Sequence, residues 1–488
     1  MELNSIADSL KNKCILVTGS TGFLAKLFVE KVLRVQPDVK KLFLLMRATD
    51  AKTVTQRFRS EVIGKEVFNV LKEKRKRGFD SLISEKVSPV AGDISCPNLG
   101  IEEANLVETM WNDIDIIVNA AATTIFYERY DVALGVNVLG AKHVLEFAKN
   151  CKKLEILLHI STAYVAGEQV GLISEKPFQM GEALNGAPGL DLHAELRLVE
   201  ERLKELRAED VELRAQRAAM KQLGLQRARH YGWPNTYVFT KALGEMLLGH
   251  YRGELPLVIL RPTMITSTLH EPFPGWMEGT RTIDTVIIGY ATGQLTCFLA
   301  DLELTMDIIP GDMVVNAMLA TLAARASHRT GSIYHVGTSV SNPVNFALLE
   351  ECGFRYFERH PRIGKDGTPL GTHRLPVYSD LPSFQRYMVL RYWLPLEALR
   401  VTNAAFCRLF QSRYDDLSRK YKFVMHMVDI YRPYAFFKGC FDDLNLERLR
   451  REMAEEAKAG FCFDPKCINW ENYLMNIHIP GVLKYVRK

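Results

Sequence analysis

A five-residue apolar run, Cys14-Ile-Leu-Val-Thr18, leads directly into Gly19-Ser-Thr-Gly22, and apolar residues then recur at helical spacing from Leu24 to Val32. A buried strand, a glycine turn and a helix in that order constrain the fold more than any other stretch. Gly19 allows the tight turn. Gly22 lets the backbone approach a pyrophosphate with no Cβ in the way. The first N–H groups of the helix, at the positive end of its dipole, then face the anion. The third small position is Ala25 rather than glycine, which a dinucleotide-binding turn tolerates. The expected contacts are Gly19, Thr21, Gly22, Phe23 and Leu24.

Strand and helix patterns alternate through the first half of the chain. Lys41–Arg47 reads as the second strand, Lys86–Ala91 as the third, Ile114–Asn119 as the fourth, Leu154–Ile160 as the fifth and Leu257–Arg261 as the sixth. Such alternation predicts an α/β fold, a doubly wound parallel sheet with its ligand at the carboxyl ends of the strands. An acidic residue ending the second strand would bind the free ribose of NAD, whereas a basic one pairs with the 2′-phosphate of NADP. Arg47 stands there and Arg57 follows, so NADPH is the expected cofactor. Asp93 is placed to accept from the adenine amino group, with Ile94 against the ring. Small residues in Asn119-Ala120-Ala121 let the fourth strand end pass close to the dinucleotide. Val54 to Gly78 is expected to be helical, and its basic run, Lys72–Arg77, is expected to be a solvated face.

Tyr237 and Lys241 stand at i and i+4 and so share one helical face. A lysine ammonium beside a phenol would lower the phenol's pKa, and the phenol could then act as general acid to a carbonyl being reduced. Ser161 or Thr162, ending the fifth strand, would give the same oxygen a second hydrogen bond. Pro262 and Thr263, after the sixth strand, would turn their backbone toward the nicotinamide.

These segments together resemble the extended short-chain reductases, and more narrowly the plant alcohol-forming fatty acyl-CoA reductases of the male-sterility type. The resemblance rests on TGSTGFLAK (Thr18–Lys26), AGDIS (Ala91–Ser95), VNAAATTIFYERYD (Val118–Asp131), HISTAYVAG (His159–Gly167), WPNTYVFTKALGE (Trp233–Glu245) and RPTMI (Arg261–Ile265). It extends to the tail, from Trp470 to Gly481, and so covers nearly the whole chain. It implies an extended Rossmann domain over residues 1–340, with a charged helical insertion near 185–230. A mainly helical "sterile" domain would follow over 341–488. It further implies that Tyr237 and Lys241 are catalytic, that Thr162 is the carbonyl-binding hydroxyl with Ser161 the neighbouring alternative, and that Asn137 holds the lysine through water. The implied reaction is four-electron, NADPH-dependent reduction of long-chain acyl-CoA to primary alcohol through a bound aldehyde. The implied location is the cytosolic face of the endoplasmic reticulum membrane, with the cytoplasm otherwise. Wax, suberin, pollen wall and storage lipid are all open as destinations.

The same residues admit two rival readings: a dehydrogenase acting on a secondary alcohol or ketone such as a steroid or flavonoid, and a module that binds dinucleotide without turnover. A net charge of +5, evenly spread, argues against nucleic acid and suits an anionic cofactor, a CoA ester or a membrane surface. Nine cysteines at irregular spacing give no metal pattern. Cys151 and Cys297 read as small core residues rather than nucleophiles. Met1–Leu10 has no apolar signal core, and no apolar run reaches the roughly 18 residues of a membrane span, so any membrane contact is expected to be peripheral. Within the insertion, Leu196, Val199, Leu203 and Leu206 form one stripe, read either as packing on the core or as a lid over an acyl chain. The Met- and aromatic-rich Phe423–Phe441 suits an acyl chain, a membrane interface or an interior helix. Oligomeric state is not legible.

Overall fold

The computed structural model describes residues 6–324, 332–363, 369–405 and 408–485. The first five residues of the N-terminal stretch discussed above lie outside them. Seven parallel strands form the central sheet: β1 (Cys14–Thr18), β2 (Lys41–Met46), β3 (Val87–Ala91), β4 (Ile116–Asn119), β5 (Ile156–Ile160), β6 (Leu257–Pro262) and β7 (Ser332–Val336). Their order is β7-β6-β5-β4-β1-β2-β3. Every neighbouring pair is parallel. All residues of β1, β4, β5 and β6 are buried, as a parallel sheet covered on both faces requires. The chain order reverses beside β1, where β2 leaves on one side and β4 on the other, and this switch point is where such sheets bind ligands.

The expected strands are present, although β4 and β5 begin two residues later than the apolar runs suggest. The seventh strand is one that the sequence reading does not include. The expected helix over Val54–Gly78 is broken. Ala51–Arg57 passes into a π turn at Phe58–Ile63, and the chain restarts at Asn69–Arg75 and again at Phe79–Lys86. Gly64 follows the π turn and Lys76 takes a φ of 48°, so one continuous helix cannot form. The basic run there is largely exposed, as a solvated face should be.

The insertion folds as two helices, Leu192–Ala208 and Leu213–His230. Its apolar stripe packs inward, with Val199 and Leu206 buried and Leu196 and Leu203 partly so. The pair is pinned by Glu195, which is buried, receives Arg227 in a two-pronged ion pair and accepts the Tyr130 hydroxyl at 2.7 Å. The C-terminal region is mainly helical, including Phe346–Arg359, Leu394–Ala405 and Gln411–Ala435. It shares apolar core with the sheet: Leu446, Trp470 and Tyr473 belong to the same cluster as Val17, Leu44 and Val258. The Tyr473 hydroxyl donates to the Ser267 carbonyl at 2.7 Å, tying the tail to the loop after β6.

Candidate active site

At the carboxyl ends of β1, β2 and β4 lies a crevice of about 460 Å³. Gly19, Thr21 and Gly22 form its floor, Arg47 and Arg57 one rim, Asp93 and Ile94 another, and Ala120 and Ala121 the far side. Gly19 has a φ of 68°, and a Cβ there would lie 2.7 Å from the Ala121 nitrogen, so only glycine fits. Gly22 caps the helix Phe23–Val35 without a side-chain hydrogen bond. The first N–H groups of that helix are therefore left for a ligand. A cradle that a Cβ would fill, beneath a helix start without a side-chain cap, fits a dinucleotide pyrophosphate.

The two rim arginines differ. Arg57 is held by Glu61 through two contacts of 2.7 Å and also donates to the Arg47 carbonyl. Arg47 is exposed and has no ion-pair partner among the described residues. Asp93 accepts from the Ser95 N–H and hydroxyl through one oxygen.

Several expected contacts point elsewhere. The Phe23 ring stacks on Trp276 at 5.1 Å, and Leu24 is buried in the core, so only their backbone can serve the crevice. The Asn119 side chain is fully occupied inside the protein. Pro262 and Thr263 do not line the crevice; Thr263 donates its N–H to the Val336 carbonyl at the sheet edge.

Tyr237 sits in the first turn of the helix Thr236–Tyr251. Asn235 caps that helix, accepting from the Val238 N–H at 3.2 Å. The same side chain donates to the Tyr434 hydroxyl at 2.8 Å, so one residue both starts the helix and ties it to the C-terminal region. Gly244 allows close packing of the helix: a Cβ there would fall 2.4 Å from the Asn137 carbonyl oxygen. Arg261 and Glu245, both buried and 2.6 Å apart, fix its far half to β6.

The Thr162 hydroxyl acts on the Tyr237 phenol in favour of its ionised form. Thr162 also caps the short turn Ala163–Ala166, accepting from the Tyr164 N–H at 3.3 Å, which fixes its hydroxyl. Ser161 is buried with its hydroxyl unpartnered. Burial pushes the phenol up to about 12, against the expectation that Lys241 would lower it. The Arg281 guanidinium works against burial, followed by the Thr162 hydroxyl. Arg281 begins the helix Thr282–Ala291 and lies over the Phe23 ring at 5.1 Å.

Lys241 is buried, and burial pushes its amine down to about 8, with Glu245 acting in the opposite sense. Nζ donates to the Ile160 carbonyl at 2.7 Å and faces His159 Nε2 at 3.3 Å. Asn137, in the π turn Leu134–Leu139, does not touch the lysine. It donates to the Thr240 hydroxyl at 3.0 Å and exchanges bonds with the Thr123 backbone. Thr123 lines the crevice, so Asn137 joins the crevice wall to the helix that carries Tyr237 and Lys241.

Aromatic rings pack against Tyr237. Phe126 stacks on Tyr237 with ring centroids 6.0 Å apart, and Tyr434 meets Phe126 at 5.2 Å and Tyr164 at 5.1 Å. Of the Phe423–Phe441 segment, Val424, Met427, Tyr434, Phe437 and Phe441 are buried, so its interior role is the one realised. The insertion helices do not line the crevice, which favours packing on the core over a lid. Cys151 and Cys297 are buried, and burial pushes both thiols up to about 12. No thiolate is available from either. Sequence reasoning missed His159, Arg281 and Phe126. His159 and Phe126 stand inside the quoted motifs but carry no spacing signal, and Arg281 reaches the phenol from a distant helix.

A family profile described as male sterility protein matches residues 17–318, and a second of that description matches residues 391–488. The alcohol-forming fatty acyl-CoA reductase of Simmondsia chinensis is 51% identical over 490 residues, covering 99% of each chain. Fatty acyl-CoA reductase 1 of Arabidopsis thaliana is 52% identical over 495 residues, covering 100% of each. Among solved structures, a reductase domain of a non-ribosomal peptide synthetase from Mycobacterium tuberculosis aligns with a TM-score of 0.57 at 18% identity, covering 99% of this chain and 94% of that one. The UDP-glucuronic acid 4-epimerase of Bacillus cereus aligns at 0.51 with 13% identity, covering 96% and 99%. At such identities these two speak for the fold alone, the extended Rossmann type. The glycine cradle and the matched profile together make the cofactor a nicotinamide dinucleotide. By two profiles that span most of its length, and by relatives at half identity over all of it, the chain belongs to the male sterility family of fatty acyl-CoA reductases.

Proposed function

We propose that this chain reduces long-chain fatty acyl-CoA to primary fatty alcohol with NADPH, in two successive two-electron steps at one site. The observation that carries the reading is Thr162 acting on the Tyr237 phenol, one helical turn from Lys241, on a helix that Asn137 joins to Thr123 in the wall of the dinucleotide crevice. Gly19, Thr21, Gly22 and the backbone of Phe23 and Leu24 would hold the pyrophosphate. Arg47 supports the phosphorylated form, being the rim cation left free of an acidic partner. When bound, the cofactor supplies hydride for each reduction.

Thr162 and Tyr237 hold the carbonyl oxygen of the substrate, and Tyr237 gives its proton to that oxygen as charge develops there. Its raised pKa keeps the phenol protonated at neutral pH, ready to donate. Arg281 offsets part of the burial cost of the phenolate left behind. From the thioester, protonation yields a hemithioacetal; its collapse releases CoA as the thiol and leaves aldehyde. The same two hydroxyls then receive the aldehyde oxygen, and a second protonation gives the alcohol. The balance is two hydrides, which carry the four electrons, and two protons, with no acyl-enzyme required.

A dehydrogenase of secondary alcohols is not favoured, because the full-length relatives are fatty acyl-CoA reductases. The endoplasmic reticulum, on its cytosolic face, is the proposed location; among the described residues no helix is long and apolar enough to cross a membrane. The test is incubation of the purified chain with NADPH or NADH and a ladder of acyl-CoAs, with aldehyde and alcohol both quantified. Fatty alcohol formed preferentially with NADPH is the expected result. Consumption of cofactor with a steroid or flavonoid ketone, and none with any acyl-CoA, would overturn it.

A further inference from the structure

Fifteen large hydrophobic side chains are exposed among the described residues, and six of them fall between Val389 and Leu409. Five of the six, all but Leu409, lie on one helical run: Leu381–Met388, a π turn at Val389–Trp393, then Leu394–Ala405. Val389 and Trp393, and Leu390 and Leu394, stand four residues apart, and Leu394 and Val401 seven, so these five share one helical face, with Glu397 between Trp393 and Val401. The exposures are high: Leu390 61%, Trp393 46%, Leu394 46% and Val401 63%. The opposite face is already used. Phe384, Met388, Tyr392 and Leu396 are buried, three of them in a cluster with Cys297, Val424 and Met427. A helix apolar on both faces has only one of them satisfied by its own fold.

The charges on the run are one-sided. Arg386, Arg391, Arg400 and Arg408 are exposed along it. The sole acid between them, Glu397, is partly buried and paired with Arg400 at 2.7 Å. An apolar stripe edged by arginines, whose one acid, Glu397, is neutralised by Arg400, complements a negatively charged surface. A tryptophan and leucines suit the boundary between headgroups and acyl chains, while guanidinium groups meet the phosphates. From Val389 to Val401 the stripe extends about 18 Å along the helix axis at 1.5 Å per residue, a length that can lie flat on a bilayer.

We propose that this face, centred on Leu390, Trp393, Leu394 and Val401, rests in the plane of an anionic phospholipid bilayer with Arg386, Arg391 and Arg408 against its phosphates. The adjoining helix, Gln411–Ala435, carries Tyr431 and Tyr434 to the aromatic rings beside Tyr237. Docking there would place the site one helix from the lipid. That use rests on the acyl-CoA reading above, whereas the docking itself does not.

The test is flotation of the full chain with vesicles of phosphatidylcholine alone and of phosphatidylcholine mixed with phosphatidylserine. The wild type is expected to float with the mixed vesicles and to be released by high salt. The triple variant Leu390→Ser, Trp393→Ser, Leu394→Ser, and separately Arg386→Ala, Arg391→Ala, Arg408→Ala, should each weaken partitioning about tenfold or more. Thermal midpoint and NADPH binding should stay at wild-type values, because these side chains face outward. Brominated lipid should quench the wild-type tryptophan fluorescence, and Trp393→Phe should remove that quench. Wild type that floats with neither vesicle overturns the proposal, as does a triple variant that floats unchanged. A wild-type dimer that the leucine and tryptophan substitutions convert to monomer, without flotation, would reassign the face to self-association. None of these readouts depends on turnover, so loss of docking and loss of the acyl-CoA reading are separable.

Discussion

His159 Nε2 lies 3.3 Å from Lys241 Nζ, and the hydrogen bonds behind the imidazole decide which nitrogen carries its proton. The Ala121 N–H donates to the Thr18 hydroxyl at 3.2 Å, and that hydroxyl donates to Asn119 Oδ1 at 2.7 Å. Asn119 Nδ2 is then the donor toward His159 Nδ1 at 3.0 Å. Burial holds the imidazole neutral, well below its ordinary pKa. Its one proton therefore sits on Nε2 and points at the lysine. An N–H aimed at an amine favours the uncharged amine, in the same sense as the burial that brings Lys241 down to about 8. A line of bonds thus runs from the last residue of β1, beside the glycine turn, to the lysine.

If the charged lysine serves the reaction, turnover should fall as pH rises through about 8, where Lys241 loses its proton. His159→Gln would offer a carbonyl that accepts from the ammonium, and Thr18→Val would free Asn119 to turn over. Both should move the midpoint of the falling limb upward by about one pH unit, the equivalent of one modest hydrogen bond. A pH–rate profile reads this directly. Two variants that keep the wild-type midpoint would show that the imidazole proton is on the other nitrogen.

The two hydroxyls that end β5 make opposite predictions. Thr162 acts on the phenol, whereas the Ser161 hydroxyl has no partner among the described residues. Tyr237→Phe should lower kcat by about 10²- to 10⁴-fold. Thr162→Val should lower it by about 10²- to 10³-fold, as loss of a donor to a developing oxyanion does. Ser161→Ala should stay close to wild type. Steady-state kinetics with one acyl-CoA separates them, and a larger loss at Ser161 than at Thr162 would reverse the assignment.

Arg47 and Arg57 were equivalent as sequence and are not equivalent in space. Because Arg57 is engaged by Glu61, Arg47→Ala should raise KM for NADPH by about 10- to 100-fold, the worth of a charge-assisted bond, and leave KM for NADH near its starting value. Arg57→Ala should do less. Equal effects on both cofactors would show that neither arginine reads the 2′-phosphate.

The sheet was legible because buried strands and a glycine turn are local patterns, and β1 with its turn is specified within about ten residues. The phenol–lysine pair was legible because both stand on one helix. Direction of charge was not. The lysine is the expected tuner of Tyr237, yet the charge that acts on the phenol is Arg281, more than forty positions away. Asn119 ends its strand as expected, but a buried amide between Thr18 and His159 cannot also face a ligand. The Phe126–Tyr434 contact likewise joins segments about 300 residues apart, and no periodicity encodes such a meeting.

Arg281 should therefore matter to the chemistry while lying outside every recognisable motif. Arg281→Gln removes the charge beside the phenol, so the cost of forming phenolate rises. About a tenfold loss in kcat is expected, with the KM for acyl-CoA little changed, since one pKa unit corresponds to a factor of ten. Arg281→Lys should restore part of the rate. Because the residue also caps a helix, the thermal midpoint must be followed alongside. A loss in kcat that tracks the melting temperature, with no rescue by lysine, would make the role structural only.

Glu195 distinguishes a supporting role of the insertion from a covering one. Its carboxylate is 1% exposed, receives Arg227 and accepts the Tyr130 hydroxyl, and Tyr130 packs behind the helix that carries Tyr237. Glu195→Ala leaves a buried hydroxyl and a guanidinium without their acceptor, at a cost of about 3–5 kcal/mol. A fall in thermal midpoint is expected, with NADPH affinity and the KM for acyl-CoA close to wild type at temperatures where the variant is folded. Tyr130→Phe on the Glu195→Ala background should recover part of the stability, because it removes the stranded hydroxyl. A raised KM for long acyl-CoA, with the midpoint unchanged, would instead place the insertion over the substrate.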